Sequence, residues 1–139
     1  MFTMYSKLAD YLSVKSEIGL EIRKAYLEND KDALRLIAYN FIPEIQEKLK
    51  SFHKSFRELW YKECKGQGFE VIDIRLGGVM ARCDSTMYRI KAYLKGNIDK
   101  IEELEEERLY FSEYFGGDDC KLICCNEYQK IATQNILSW

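Results

Sequence analysis

The sequence predicts an all-α fold: an antiparallel helical bundle of three long helices plus a short fourth helix and an irregular C-terminal tail. Three observations lead there. Apolar residues recur at steps of three and four over most of residues 4–110, which is the 3.6-residue period of helices and not the period of two of half-buried strands. The breaks between these stretches are short, Asn29-Asp30 and Lys65 to Gly68, and short connections make consecutive helices antiparallel neighbours. The chain also holds one proline and few alternating β-rich runs.

Residues 4–28 carry the first pattern. Leu8, Leu12, Gly19, Ile22 and Tyr26 share a face, interrupted by Lys15, while Glu17, Glu21, Arg23, Lys24 and Glu28 cover the outside. Gly19 offers a place where backbones can approach. Asp30 suits an N-cap, because its carboxylate accepts from first-turn amides, and Asp32 follows where the helix dipole favours an acid. The second helix spans about 31–64, with Leu34, Ile37, Phe41, Ile45, Leu49, Phe52, Phe56 and Leu59 as its stripe. Pro43 lies inside it. Proline lacks an N–H and clashes with the carbonyl four residues back, so a kink is expected over Tyr39 to Pro43, with the pattern resuming in phase beyond it. Gly66 and Gly68 end this helix and turn the chain.

The third helix, 69–96, has the clearest stripe: Phe69, Ile72, Leu76, Val79, Cys83, Met87, Ile90 and Leu94. Gly77-Gly78 interrupts it, and each glycine inside a helix costs roughly 1 kcal/mol relative to Ala. Such a pair suggests a bare backbone that something approaches closely. Arg75, Gly78 and Arg82 step by three and four and share a face beside the stripe; they are expected to face a partner, with Gly77 turned inward or sideways. A fourth helix is expected over 98–110, with a thin apolar face and a crowd of glutamates whose i, i+4 repulsion weakens it. The helical period then stops. The chain thus divides into a bundle domain, 1–110, and a tail, 111–139, that packs on the bundle or on an absent partner domain.

A chain of 139 residues is one domain with room for a sizeable core. Twenty-one basic against 23 acidic residues give a net charge of −2, unlike the strongly basic balance of nucleic-acid binders. No apolar run reaches the roughly 18 residues of a membrane helix, and the first twelve residues lack the basic and apolar regions of a signal peptide. Five cysteines, an odd number, fit reduced thiols in the cytoplasm.

Little here looks catalytic. His53 is the only histidine, and no nucleophile can be set beside it from the sequence. Cys120, Cys124 and Cys125 lack the paired Cys-x-x-Cys spacing of structural zinc. The acidic run around Glu102-Glu103 has no apolar surroundings to raise a carboxyl pKa. Gly77-Gly78 lacks the Gly-x-x-x-x-Gly-Lys-Ser/Thr pattern of a phosphate loop. No catalytic, metal or cofactor residue is assigned.

The run Phe69-Glu70-Val71-Ile72-Asp73-Ile74-Arg75-Leu76-Gly77-Gly78, followed by Arg82, resembles the C-terminal helical domain of one subgroup of glycoside hydrolase family 20, the β-N-acetylhexosaminidases. Leu12-Ser13-x-Lys15 with Gly19, Arg23, Ala25 and Tyr26 resembles that domain's first helix. Asp30-Lys31 with Leu34, the proline-bearing helix ending near Trp60, and Gly96 to Leu109 come in the same order. The resemblance implies an enzyme that removes terminal N-acetylhexosamine, with the substrate acetamido group as nucleophile and an Asp-Glu pair on a preceding (β/α)8 barrel. This chain is shorter than the roughly 250 residues a barrel takes. Its Asp118-Asp119 and Glu102-Glu103 pairs do not match the family motif, so no catalytic residue carries over. The expectation is a non-catalytic accessory domain, cytoplasmic, separated from its barrel. Its partners would be that barrel or a homodimer mate, with Arg75, Gly77, Gly78, Arg82 and Trp60 as the interface. The alternative is a free-standing helical protein–protein interaction domain.

Overall fold

Two helices, α1 (Phe2–Lys15) and α2 (Ile18–Leu27), stand where the sequence predicts one over 4–28. They belong to a computed structural model that describes residues 2–106, in two units divided between Ile101 and Glu102. The break falls at Ser16-Glu17, because the two halves serve different neighbours: α1 packs on the long helix α4, and α2 on α3. The buried residues follow suit. Tyr11, and not the expected Leu12, enters the core from α1, and Ile22, Ala25 and Tyr26 enter it from α2. Gly19 is exposed, with no heavy atom within 4 Å of where a Cβ would stand; it is not a point of close approach.

Asp30 caps α3 (Lys31–Leu36) as expected, accepting from the amides of Asp32 and Ala33 at 3.1 and 2.9 Å. Asn29 reaches φ 54° to make the turn before it. The predicted kink takes the form of a π-turn, Ile37–Phe41, between α3 and α4 (Ile42–Glu63). The Ile42 amide donates to the Ile37 carbonyl, five residues back. That wider turn gives room to Pro43 in the first turn of α4. It also moves the stripe by one residue: Phe41 is 40% exposed and Ile42 is 2% exposed. Beyond it Ile45, Leu49 and Phe52 are buried as predicted.

The turn into α5 (Phe69–Leu94) is built by aromatics. Gly68 stands at φ 99°, a backbone open to glycine. Its amide donates to Glu70 Oε2 at 2.8 Å, and the Trp60 indole N–H donates to the Lys65 carbonyl at 2.9 Å. Phe69 is fully buried and meets the rings of His53, Phe56, Trp60 and Tyr61 at 5.5–5.8 Å between centroids. Every residue of the predicted α5 stripe is buried or half-buried. Gly96 at φ 72° ends the helix, with the Asn97 amide donating back to the Ala92 carbonyl at 2.9 Å.

The core centres on Tyr11, Ile45, Leu49 and Phe52, against which Leu8, Phe56, Leu76, Val79 and Cys83 pack. Burial pushes the Cys83 thiol above its ordinary range, helped by nearby Asp84 and opposed by Lys15. Burial, and then Cys83, do the same to the Tyr11 phenol. Among the described residues there is no strand, and the all-α bundle is as predicted. In the second unit a short helix, α6 (Glu102–Glu105), begins four residues later than expected, because residues 98–101 stay outside a helix and Ile101 is buried. The expected tail, 111–139, lies outside the described residues, as do Cys120, Cys124, Cys125 and Asp118-Asp119.

Candidate functional site

Helix α5 buries one side and leaves the other bare. Because its stripe enters the core through Phe69, Leu76, Val79 and Ile90, a period of 3.6 residues puts Ile74, Gly77, Gly78, Ala81, Ser85 and Tyr88 outside. All six are exposed. Ile74 and Tyr88 are the extremes, at 70% and 72%. They are large apolar side chains on either flank of a stretch of small ones.

The glycines are where the sequence pointed, but they face differently. Gly77 is not turned inward: it lies on the outer face with Gly78, and among the described residues neither has a neighbouring heavy atom within 4 Å of where its Cβ would stand. No helix of the bundle approaches there. Two mid-helix glycines therefore carry their cost without a contact among the described residues to offset it. Arg75 and Arg82 are exposed on the same outer side. Trp60 stands apart from them. Half-buried in the α4–α5 turn, it packs its ring 3.4 Å from the Cβ position of Gly68, so its first task is to shape the turn. Ile74 and Tyr88 were not singled out from the sequence. Their signal was present, since both fall between stripe positions.

His53 is tied into structure. Its Nε2 is 2.6 Å from Asp73 Oδ1, and its ring stacks on Phe69 at 5.8 Å with 3° between planes. The pair clips α4 to α5, and Gln46 adds a second clip, donating to Asp84 Oδ1 at 2.8 Å and to the Met80 carbonyl at 3.3 Å. A cavity of about 410 Å³ lies elsewhere, between α1, α2, α3 and the π-turn. Val14, Ile18, Leu36, Ile37 and Phe41 line it, with Glu17 and Glu21 at its edge. Ser13 lines it too, but its hydroxyl donates to the Asp10 carbonyl at 2.8 Å and not to either carboxylate, so no nucleophile–base pair is formed there.

The family model described as the Glycoside Hydrolase 20C C-terminal domain matches residues 1–123. The chain belongs to this family. In this member of the family the bundle is built on α1, α4 and α5, and Arg75, Gly77 and Gly78 lie on the outer side of the longest helix while Leu76 turns to the core. No curated protein matches the chain.

Proposed function

We propose that this domain is the non-catalytic helical part of a β-N-acetylhexosaminidase, an enzyme that removes terminal N-acetylhexosamine from glycoconjugates. In this reading the outer face of α5 packs against the rest of the enzyme: the catalytic (β/α)8 barrel, or a second protomer that completes its dimer. The observation that carries the reading is the exposed Gly77-Gly78 pair in a family 20C C-terminal domain. Bare helix backbone lets another surface come close, and arginine at the rim suits an interface through its planar, multiply donating head. The cytoplasmic setting rests on the cysteine usage, and Cys64 and Cys83 are both free thiols.

The test is association between this chain and a separately produced barrel. Gly78→Leu and Arg75→Ala should each weaken association without lowering the chain's own melting temperature, because both positions are exposed and leucine favours the helix over glycine. If neither substitution alters association, the α5 face is not the interface. The chain alone should not cleave a chromogenic N-acetylglucosaminide. Turnover that survives repurification and is lost on mutating a carboxylate of this chain would refute the non-catalytic assignment.

A further inference from the structure

Two irregularities of the backbone border one cleft, the cavity of about 410 Å³ between α1, α2, α3 and the π-turn. On one side α1 stops and α2 starts at Ser16-Glu17, and Val14, Glu17, Ile18 and Glu21 reach the cleft from these helix ends. On the other side the π-turn contributes Ile37 and Phe41, and the last turn of α3 contributes Leu36. Ile37 is buried, whereas Leu36 and Phe41 are exposed and stand at the lip. Phe41 is there because the wide turn moves the stripe onto Ile42; a regular helix would bury it. π-turns inside helices recur at functional sites. The volume falls within the roughly 300–1,000 Å³ of small-molecule sites, which are mostly apolar with a few convergent polar groups.

The charge in the cleft has one sign. Glu17 and Glu21 are exposed and one helical turn apart, near enough for both carboxylates to converge on one cation. Glu17 stands at the N-cap of α2, yet its side chain accepts no capping hydrogen bond. Among the described residues neither carboxylate makes an ion pair, and no Lys or Arg lines the cleft. Lys24, one turn beyond Glu21, borders a separate hollow with Leu20 and Leu27, and Arg35 is held by Asp32 at 2.6 Å. We infer that this cleft binds a small organic cation, an ammonium or guanidinium group carried on an apolar body. The body displaces water from Val14, Ile18, Leu36 and Ile37 and covers the exposed part of Phe41. The cation stands between Glu17 and Glu21. A neutral body gains the apolar contacts alone, and an anion is repelled by both carboxylates. The inference does not involve α5, so it stands or falls apart from the reading of that face.

One apolar body carrying three different charges tests this. Phenylethylammonium, phenylethanol and phenylacetate are each titrated into the full chain, and the methyl signals of Val14, Ile18, Leu36 and Ile37 are followed by NMR. The ammonium should shift these signals saturably and bind about fivefold more tightly than the alcohol. That advantage should shrink at high salt, because the carboxylates are exposed. Phenylacetate should bind most weakly. Glu17→Gln together with Glu21→Gln should bring the ammonium down to the level of the alcohol. The alcohol's own affinity should not change, which also shows that this variant is folded. Phe41→Ala should weaken ammonium and alcohol alike. The inference is overturned if no saturable shift appears, if the shifts do not centre on the cleft, or if ammonium and alcohol bind equally. It is also overturned if the preference survives the double substitution. A cleft that takes a basic amphipathic peptide but not the ammonium overturns it too, since its occupant is then a polypeptide.

Discussion

At the scale of single residues, Gly77 and Gly78 make the sharpest prediction. Among the described residues neither position has a neighbour for an added methyl, and alanine is the better helix former by roughly 1 kcal/mol. Gly77→Ala and Gly78→Ala should therefore each raise the unfolding free energy of the chain by up to about 1 kcal/mol. Denaturant titration checks this, and a loss of stability at both would mean that something does pack there. Cys83 gives a second prediction, in pH. Its thiol holds its proton more tightly in the fold than the ordinary value of 9.0. The unfolded chain then loses that proton first, so stability is fully present below about pH 9 and falls as pH rises through the folded value. Cys83→Ala should flatten this alkaline loss of melting temperature. It should not abolish it, because the Tyr11 phenol is shifted in the same direction.

Among elements, the seam between α1 and α4 carries the core. Ile45 is 2% exposed at its centre, and Ile45→Ala should cost roughly 2–5 kcal/mol. Leu76 is only half-buried, so Leu76→Ala should fall near the lower end, about 2 kcal/mol. A thermal melt of either that moves by less than a degree would place the stripe on the wrong side. These stripes were legible because burial imposes a period, and the period of Phe69, Leu76, Val79 and Ile90 survives in the sequence whatever the helix packs against. The break at Ser16-Glu17 was not legible. No proline or strong cap marks it; α1 and α2 separate because of where α4 and α3 lie. The same limit applied to Gly77. Its presence suggested a close approach, but the side of the helix it faces is decided by the packing of the neighbouring helices, and that packing leaves it on the outer face. Trp60 was placed with the interface by its position in the sequence, while its indole is occupied in shaping the α4–α5 turn.

For the whole molecule, the π-turn at Ile37–Phe41 decides how two halves of one long helix are presented. The α3 half buries Leu34 toward α2 and α5, and the α4 half buries Ile45 and Leu49 toward α1 and α5. A wider turn winds less per residue, so it behaves as one surplus residue taken up without disturbing the helix beyond it. The chain is in this respect a letter too long, and the excess is stored where it does no harm. Deleting the exposed Asn40 would tighten the turn into a regular helix while leaving Ile45, Leu49 and Phe52 on their present side. It would also put Pro43 into ordinary helical surroundings, where its ring meets a carbonyl at a cost of about 3 kcal/mol. Deletion of Asn40 together with Pro43→Ala should thus give a folded protein by circular dichroism. Deletion of the equally exposed Lys50 should not, since every apolar side chain after it would swing by about 100° out of the core. This helix tolerates a change of length at one address and nowhere near its middle.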